Sequence, residues 1–307
     1  MKDRILVVGP SNTDMIIKLE RLPTPGETII GGEFATAGGG KGANQAVQCA
    51  RLGAPVILLA RIGKDPFGDR SVEQFQMEGI DTSFIIRDAE HHSGIALIFV
   101  DKKGENMIAV APGSNSFLSK ADVEMAREAF KISSTLLLQL EIPLEPVEAS
   151  VFLAKEEGTR VILNPAPAQP LPQSVLENVD ILVPNETEAK ILSGFPPDED
   201  ISPLELAKML RAKGVKRVII TLGSKGSLYV DENEQFEVPA FKVESVDTTA
   251  AGDSFCGALA VAISEGKGIR EAIRFASACA AISTTRLGAQ PSLPRREEVE
   301  EFLRQRS

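Results

Sequence analysis

What the chain lacks narrows it first. Its 307 residues include no tryptophan, one tyrosine, two histidines and three cysteines. Cys49, Cys256 and Cys279 are odd in number, far apart and set in apolar helical patterns. They are expected to be reduced core residues of a cytoplasmic protein, neither a disulfide framework nor a zinc site. His91 and His92 stand together in a polar turn without further ligands nearby, so solvent exposure is expected of them rather than metal binding. Positive charge is also scarce. The 33 Lys and Arg against 43 Asp and Glu leave a net charge of −10 and a pI near 5.0, which argues against nucleic acid or an anionic membrane as the main partner. No apolar run approaches the ~20 residues of a membrane span, and the run at 4–9 reads as a strand rather than a signal peptide. There is no low-complexity linker and no internal repeat, so one domain is expected over 1–307. A Walker A loop is missing too: Lys41 is followed by Gly42 instead of Ser or Thr, and Ala35 stands where the first glycine belongs.

What is present is ample apolar content, 43%, in a regular alternation. Strand-like runs at 5–8, 56–62, 135–140, 160–164, 180–183 and 218–222 are separated by helical patterns. Ala43, Ala46, Val47 and Ala50 recur at helical spacing and stop at Gly53. Further helices are expected at 66–78, 119–130, 146–157, 185–193, 202–214, 253–265, 269–285 and 294–305, and short antiparallel strands between 226 and 246. This is the signature of βαβ units. The expected fold is α/β and doubly wound, with a mostly parallel central sheet flanked by helices. Two stretches break the rhythm. Residues 15–36 hold two strand-like runs around Leu22-Pro23-Thr24-Pro25-Gly26, and residues 93–110 hold two more around Asp101-Lys102-Lys103-Gly104. With no helix between them, they predict a small β-sheet inserted at about 13–37 and 91–112, which closes over a site as a lid or pairs subunits.

The chemistry centres on Asp247-Thr248-Thr249-Ala250-Ala251-Gly252-Asp253-Ser254-Phe255, between a strand-like run at 241–246 and a small-residue helix. Ala250, Ala251 and Gly252 let a ligand approach N–H groups at a helix N-terminus, where unpaired donors and the dipole favour an anion. Asp253 beside them suits phosphoryl transfer, as a base for the attacking hydroxyl next to donors for the moving phosphoryl group. The plainer reading makes Asp253 an N-cap and its neighbours turn material.

Four further clusters follow predicted strands or turns. Asn12-Thr13-Asp14, after the first strand, suits a polyhydroxy ligand at a strand's C-terminal end, or simply a turn. Ala37-Gly38-Gly39-Gly40-Lys41-Gly42-Ala43-Asn44 lets backbone approach a ligand and adds polar groups at a helix mouth; it also matches a dinucleotide pattern weakly, as Gly38-x-Gly40-x-x-Ala43. Asn185-Glu186-Thr187-Glu188 is either a capping box or a pair placed to hold hydrated Mg²⁺ beside phosphates. Thr221-Leu222-Gly223-Ser224-Lys225-Gly226 either lies along a nucleotide or turns a hairpin. In a parallel sheet, clusters that each follow a buried strand converge on one edge.

These residues resemble a known family. Gly39-Gly40-Lys41-Gly42-Ala43-Asn44, Asn185-Glu186-Thr187-Glu188 and Asp247-Thr248-Thr249-Ala250-Ala251-Gly252-Asp253 are similar to the signatures of ribokinase-type carbohydrate kinases. The likeness runs from the first strand to Gly288-Ala289-Gln290-Pro291-Ser292. Pro25-Gly26-Glu27, Gln139-Leu140-Glu141 and Asn164-Pro165-Ala166-Pro167-Ala168 also resemble ribokinase-type features. The resemblance implies ATP-dependent phosphorylation of D-ribose at its 5-hydroxyl, with Asp253 as general base and the Ala250, Ala251 and Gly252 amides as anion hole. It implies a sugar site of Asn12, Thr13, Asp14, Gly40, Lys41, Asn44, Glu141 and Asp253. It implies a nucleotide site of Asn185, Glu188, Thr221, Gly223, Ser224, Gly226, Gly252 and Ser277, with Mg²⁺ near Asn185 and Glu188. Ser277 departs from the family, whose bacterial ribokinases carry His there. The resemblance further implies a monovalent cation, K⁺, held by Asp247, Thr249, Ser283, Arg286, Gly288 and Ser292, and a homodimer formed through the lid sheet.

Rival readings are another sugar or nucleoside kinase of that family (deoxyribose, fructose or nucleoside), a dehydrogenase resting on the glycine pattern, and a catalytically silent sugar-binding regulator. An intact Asp253 and small-residue hole speak against the last, since a binding module needs neither.

Overall fold

The computed structural model describes residues 2–103 and 105–306; Gly104, from the expected turn at 101–104, lies outside them. The chain opens with β1 (Arg4–Val8), β2 (Asn12–Leu19) and β3 (Glu33–Gly39), then α1 (Lys41–Arg51), β4 (Val56–Gly63), α2 (Pro66–Met77) and β5 (Ile85–Asp88). A second excursion follows, β6 (Gly94–Asp101) and β7 (Asn106–Ala111), before α3 (Lys120–Met125), α4 (Arg127–Ile132) and β8 (Ser133–Leu138). The alternation resumes with α5 (Leu144–Glu156), β9 (Arg160–Leu163), α6 (Gln173–Leu176), β10 (Ile181–Leu182), α7 (Glu186–Ser193), α8 (Pro203–Ala212) and β11 (Arg217–Thr221). β12 (Ser227–Val230), β13 (Gln235–Val238), α9 (Ala251–Ser264), α10 (Ile269–Ser283) and α11 (Arg296–Arg304) complete it.

The large sheet has the order β13-β12-β11-β10-β9-β8-β1-β4-β5. All neighbours from β11 to β5 are parallel; β12 and β13 add an antiparallel edge. The inner strands are apolar on both faces because helices cover both. In β1, Ile5 and Val7 enter one core with α1, α9 and α10, while Leu6 and Val8 enter the other with α5 and α8. That is the doubly wound arrangement the alternation predicts. The four remaining strands form the small sheet β3-β2-β6-β7, with β2 and β6 parallel and the outer pairs antiparallel.

Four expectations need correcting. Residues 241–246 are not a strand: β13 ends at Val238 before Pro239, which has no N–H for a ladder. The chain then leaves the sheet, and the Val246 and Asp247 amides donate to Thr284 O at the end of α10, at 2.7 and 3.1 Å. The helix expected at 119–130 is broken at Ala126 (φ −87°, ψ 11°). The glycine run at 38–43 is no dinucleotide turn, because β3 belongs to the small sheet and runs antiparallel to β2. Finally, His91 is not free in solvent. It stacks on Phe117 at 3.5 Å and its Nδ1 lies 3.1 Å from Asp88 Oδ2. His92 is exposed as expected, and all three cysteines are buried and unpaired.

Candidate active site

β1 passes directly into β2, so Asn12 and Asp14 emerge at the C-terminal edge of the large sheet as the first inward residues of the small one. Period-two alternation puts both on one face, and both are buried. The same alternation turns Thr13 to the opposite face, away from them. Asn115 fixes the junction: its Oδ1 accepts from the Ser11 amide at 3.0 Å, and its Nδ2 donates to Asn12 Oδ1 at 2.8 Å.

β3 returns beside β2, and its glycines make room for this site. A Cβ on Gly39 would collide with the Asp14 carboxylate, and Gly40, at φ 85°, starts α1 against the Asn12 amide. α1 then supplies three polar groups in succession. The Lys41 amide donates to Glu141 Oε2 at 3.1 Å. Asn44 Nδ2 donates to Asp253 Oδ2 at 2.9 Å, and Gln45 Nε2 to Asp253 Oδ1 at 3.0 Å. The Asn44 Oδ1 is buried with no partner among the described residues. Buried polar atoms are nearly always paired, so an unpaired one facing a site is free to take a ligand hydroxyl.

Asp253 is not an N-cap. The N-cap of α9 is Ala250, at φ 58° the one non-glycine with positive φ among the described residues. Left-handed backbone is costly for alanine and clusters at functional sites. Asp253 is the third residue of the helix, 4% exposed. The expected anion hole is only partly open: the Ala251 amide donates to Thr248 O at 3.2 Å. The Gly252 position faces free space, with no atom within 4 Å of where a Cβ would stand.

On the nucleotide side, Asn185 and Glu188 form the capping box of α7. Asn185 Oδ1 accepts from the Glu188 amide, and Glu188 Oε2 from the Asn185 amide, each at 2.8 Å. Asn185 also bridges Thr221 at the end of β11. Gly223 and Ser224 lie in an exposed 3-10 turn that follows, and Gly226 at φ 110° closes it. Ser277, on α10, donates its hydroxyl to Ile273 O at 2.8 Å, within its own helix.

Electrostatics ties Lys41, Asp14, Glu141, Glu188 and Asp253 into one site, whereas nothing among the described residues links Ser277 or the 223–226 turn to them. Lys41 is held above the usual lysine range, first by the Asp253 carboxylate against the cost of burial, then by Glu141 and Glu188. Burial, Glu141 and Asp253 push Asp14 up to about 7. Glu141 and Glu188 are also raised, by burial first and then by Asp253, with Lys41 opposing in both. Carboxylates from β2, the β8–α5 loop, α7 and α9 thus share one field with a single lysine. Such a place accepts hydrogen bonds from hydroxyl donors.

Of the cation set expected near the C-terminus, Thr249 and Gly288 meet at Asp247, whereas the Ser283 and Ser292 hydroxyls bond Ala280 O and Ala289 O and Arg286 pairs with Glu298. Its Oδ1 accepts from the Thr249 amide and hydroxyl at 2.9 and 2.6 Å, and its Oδ2 from the Gly288 amide at 2.8 Å. Sequence reasoning gave no role to Gln45, Gln139, Asn164 or Asn115. Gln139 and Asn164 carried a signal, since each is a polar residue at the inner end of an otherwise aliphatic run. Gln45 had none beyond standing next to Asn44.

Comparison with known proteins agrees with this geometry. The pfkB family carbohydrate kinase model matches residues 2–296. A ribokinase of Haemophilus influenzae is 44% identical over 99% of this chain and 99% of its own length. A deoxyribokinase of Salmonella typhi is 38% identical over 97% of this chain and 98% of its own. The structure of Arabidopsis thaliana ribokinase complexed with ribose and ATP superposes with a TM-score of 0.89, at 34% identity and 99% coverage of both chains. A buried carboxylate at a small-residue helix start, a polar sheet edge and a matching family model over nearly the whole length lead to one conclusion: the chain belongs to the pfkB family of carbohydrate kinases.

Proposed function

We propose that the chain transfers the γ-phosphoryl group of ATP to the 5-hydroxyl of D-ribose, giving D-ribose 5-phosphate and ADP. The observation that carries this reading is the Asp253 carboxylate, buried one residue beyond the open Gly252 position with both oxygens held by amides. Asn12, Asp14, Asn44 and Glu141 hold the sugar hydroxyls, with Gly40 and Lys41 at the helix mouth. The sugar's 5-hydroxyl gives its proton to Asp253 as its oxygen attacks phosphorus, and the Ala250 and Gly252 amides receive the charge of the transferring group. Ala251 joins them once its amide leaves Thr248 O. The nucleotide lies along Thr221, Gly223, Ser224 and Gly226, with its base toward Ser277.

Asn185 and Glu188 would hold Mg²⁺ through water. Their side chains are committed to the helix cap through one oxygen each, and no group of three His, Cys, Asp or Glu ligands exists among the described residues. That fits an ion which keeps most of its waters and binds chiefly through phosphates. When bound, it neutralises phosphate charge.

No helix among the described residues is long and apolar enough to cross a membrane, and buried free cysteines suit a reducing cytoplasm. The small sheet is the lid of a single kinase domain. It exposes Phe34, Leu97, Met107, Ile108 and Val110, which a second copy would cover in a homodimer. Sedimentation equilibrium at assay concentration is expected to give twice the 32.9 kDa chain mass; a monomer would remove the dimer.

An ADP-release assay across sugars and nucleosides tests the activity itself, with D-ribose expected to lead. The likeness to a deoxyribokinase gives 2-deoxyribose specific weight as the second reading. A polar group left unpaired in a buried site costs about 1–3 kcal/mol, so kcat/KM should be roughly tenfold or more lower for 2-deoxyribose. Equal efficiency on the two sugars would sink ribose specificity and leave the family intact.

The raised Asp14 predicts a pH dependence. Its ionised form accepts more hydrogen bonds from hydroxyls, so ribose should bind about tenfold more weakly at pH 6 than at pH 8. Folding runs the other way: because the carboxyl is raised in the folded chain, stability falls as pH climbs from 3.8 to about 7, and levels off above. Asp14→Asn should therefore bind ribose weakly at every pH yet melt higher than wild type at pH 8. A wild-type dissociation constant that is flat from pH 6 to 8 would remove Asp14 from the sugar site.

A further inference from the structure

A chain of buried groups, Val183, Asn164 and Gln45, ends on the Asp253 carboxylate, with Gln139 branching from Gln45, and its polarity is fixed at both ends. At one end stands Val183 O, a main-chain carbonyl that can only accept. It takes Asn164 Nδ2 at 3.0 Å. That fixes the Asn164 amide, whose Oδ1 must then face a donor, and Gln45 Nε2 supplies it at 3.2 Å. The same Nε2 donates to Asp253 Oδ1 at 3.0 Å. Gln45 is thereby left with its Oε1 outward, where Gln139 Nε2 donates to it at 2.6 Å. Reversing any one amide would set donor against donor or oxygen against oxygen, so amide orientation follows from the network rather than from local fit.

The arrangement has a cost. Gln139 Oε1 is buried with no partner among the described residues. Its surroundings are built around it, because a Cβ on Gly9 would collide with that oxygen. Gln45 and Gln139 are both 0% exposed, and neither is placed to reach substrate as Asn12 or Asp14 is. Buried amides packed this tightly, with one acceptor left unmet, are poor stabilisers. They specify a direction instead.

We infer that Gln45 is a positioning residue for the general base: the Val183–Asn164–Gln45–Gln139 network makes it present N–H, never C=O, to Asp253 Oδ1. This rests on the reading of Asp253 as base. With Asn44 holding Oδ2, the carboxylate is fixed against rotation, and each oxygen keeps acceptor capacity for a hydroxyl. The charged and titratable groups around Asp253 are Lys41 on α1, Asp14 on β2, Glu141 after β8, Glu188 on α7 and Cys256 on α9. None of them occupies the position of Gln45.

The test measures kcat and acceptor KM on whichever sugar the wild type phosphorylates, so that a wrong sugar assignment does not disturb it. Gln45→Met keeps the volume and removes the donor. Gln139→Glu changes no atom near Asp253: protonated, its O–H still donates to Gln45 Oε1, but at high pH, where it is assayed, the ionised carboxylate can only accept and draws Gln45 Nε2 away from the base. Each is expected to lower kcat roughly 10–10²-fold, the scale of a misplaced reacting group, with KM within about threefold. The double variant should be no worse than Gln45→Met alone, since both act through one hydrogen bond. A Gln139→Glu enzyme with more than about half the wild-type kcat, losses that multiply in the double variant, or kcat and KM moving together would each overturn the inference. Should Gln45→Met not fold, Gln139→Glu decides alone. Inactivity of the wild type on every sugar would instead refute the kinase reading.

Discussion

Asp253→Asn should leave a folded, sugar-binding protein with kcat reduced roughly 10²–10⁴-fold, the usual worth of a positioned general base. The substitution is nearly isosteric in a site where Asn44 and Gln45 each donate to one carboxylate oxygen. An amide can accept only one of these bonds, so the other donor is left facing NH₂. That costs about 1–3 kcal/mol, against the roughly 5–15 kcal/mol that holds a domain together. The fold survives, while the proton acceptor is gone. Ribose affinity, measured by calorimetry, should change far less than kcat, because Asn12, Asp14 and Glu141 are untouched. A variant keeping more than about a third of wild-type kcat would strip Asp253 of its role as base.

The fold was legible because its signals are strong and redundant. Doubly covered strands such as residues 136–138 are aliphatic throughout, Gly53 ends its helix as read, and the cap of Ser202 with Glu205 and Gly214 bound the helix expected at 202–214. The failures share a cause. The run at 241–246 has strand-like residues, but whether it pairs is decided by Pro239 and by Thr284, far along the chain at the end of α10. Likewise the spacing at 91–92 could not reveal that the aromatic ring of Phe117 and the carboxylate of Asp88 return to cover His91.

At the site, residues were legible and their conformations were not. Asp253, Asn44, Asp14 and Glu141 were singled out by motif and resemblance, and the structure brings the three carboxylates into one electrostatic field, with Asn44 hydrogen-bonded to Asp253. Period-two geometry then separates Thr13 from Asn12 and Asp14, a distinction available only once residues 12–14 are known to be strand rather than turn. Asn185 and Glu188 fit the capping reading fully, and nothing in that cap prevents a second role through water. The Ala251 amide was invisible as an exception, because its partner Thr248 O depends on the left-handed turn at Ala250. The amide network behind Asp253 was missed because its members are scattered over α1 and the residues that follow β8 and β9, and no local pattern links them.

Replacing potassium chloride with choline chloride at equal ionic strength should lower kcat by up to about 10²-fold, the cost of losing one aligned oxyanion donor. The physical ground is the junction at Asp247. It pins the segment entering α9 to the loop after α10 through Gly288, while the Val246 and Asp247 amides bond Thr284 O. Burial works against the charge on Asp247, but the Thr249 hydroxyl and the Gly288 and Thr249 amides outweigh it and hold the carboxyl below its usual range. The carboxylate is therefore ionised at assay pH. Around it, the hydroxyls of Ser283 and Ser292 donate back to Ala280 O and Ala289 O, leaving their oxygens able to accept. The Arg286 guanidinium pairs with Glu298, so that residue would contribute its carbonyl, as would Thr249, Ser283 and Gly288. One carboxylate with neutral oxygens is a cage of low charge, suited to a large univalent ion rather than to Mg²⁺ with its tight octahedron. A cation there would fix the loop from Asp247 to Ala250, and with it the direction of the α9 amides, without touching substrate. With Mg²⁺, ATP and ribose saturating, Asp247→Ala should be slow in both salts and insensitive to the exchange. Equal wild-type rates in the two salts, or an Asp247→Ala enzyme that still responds to K⁺ as wild type does, would rule the site out.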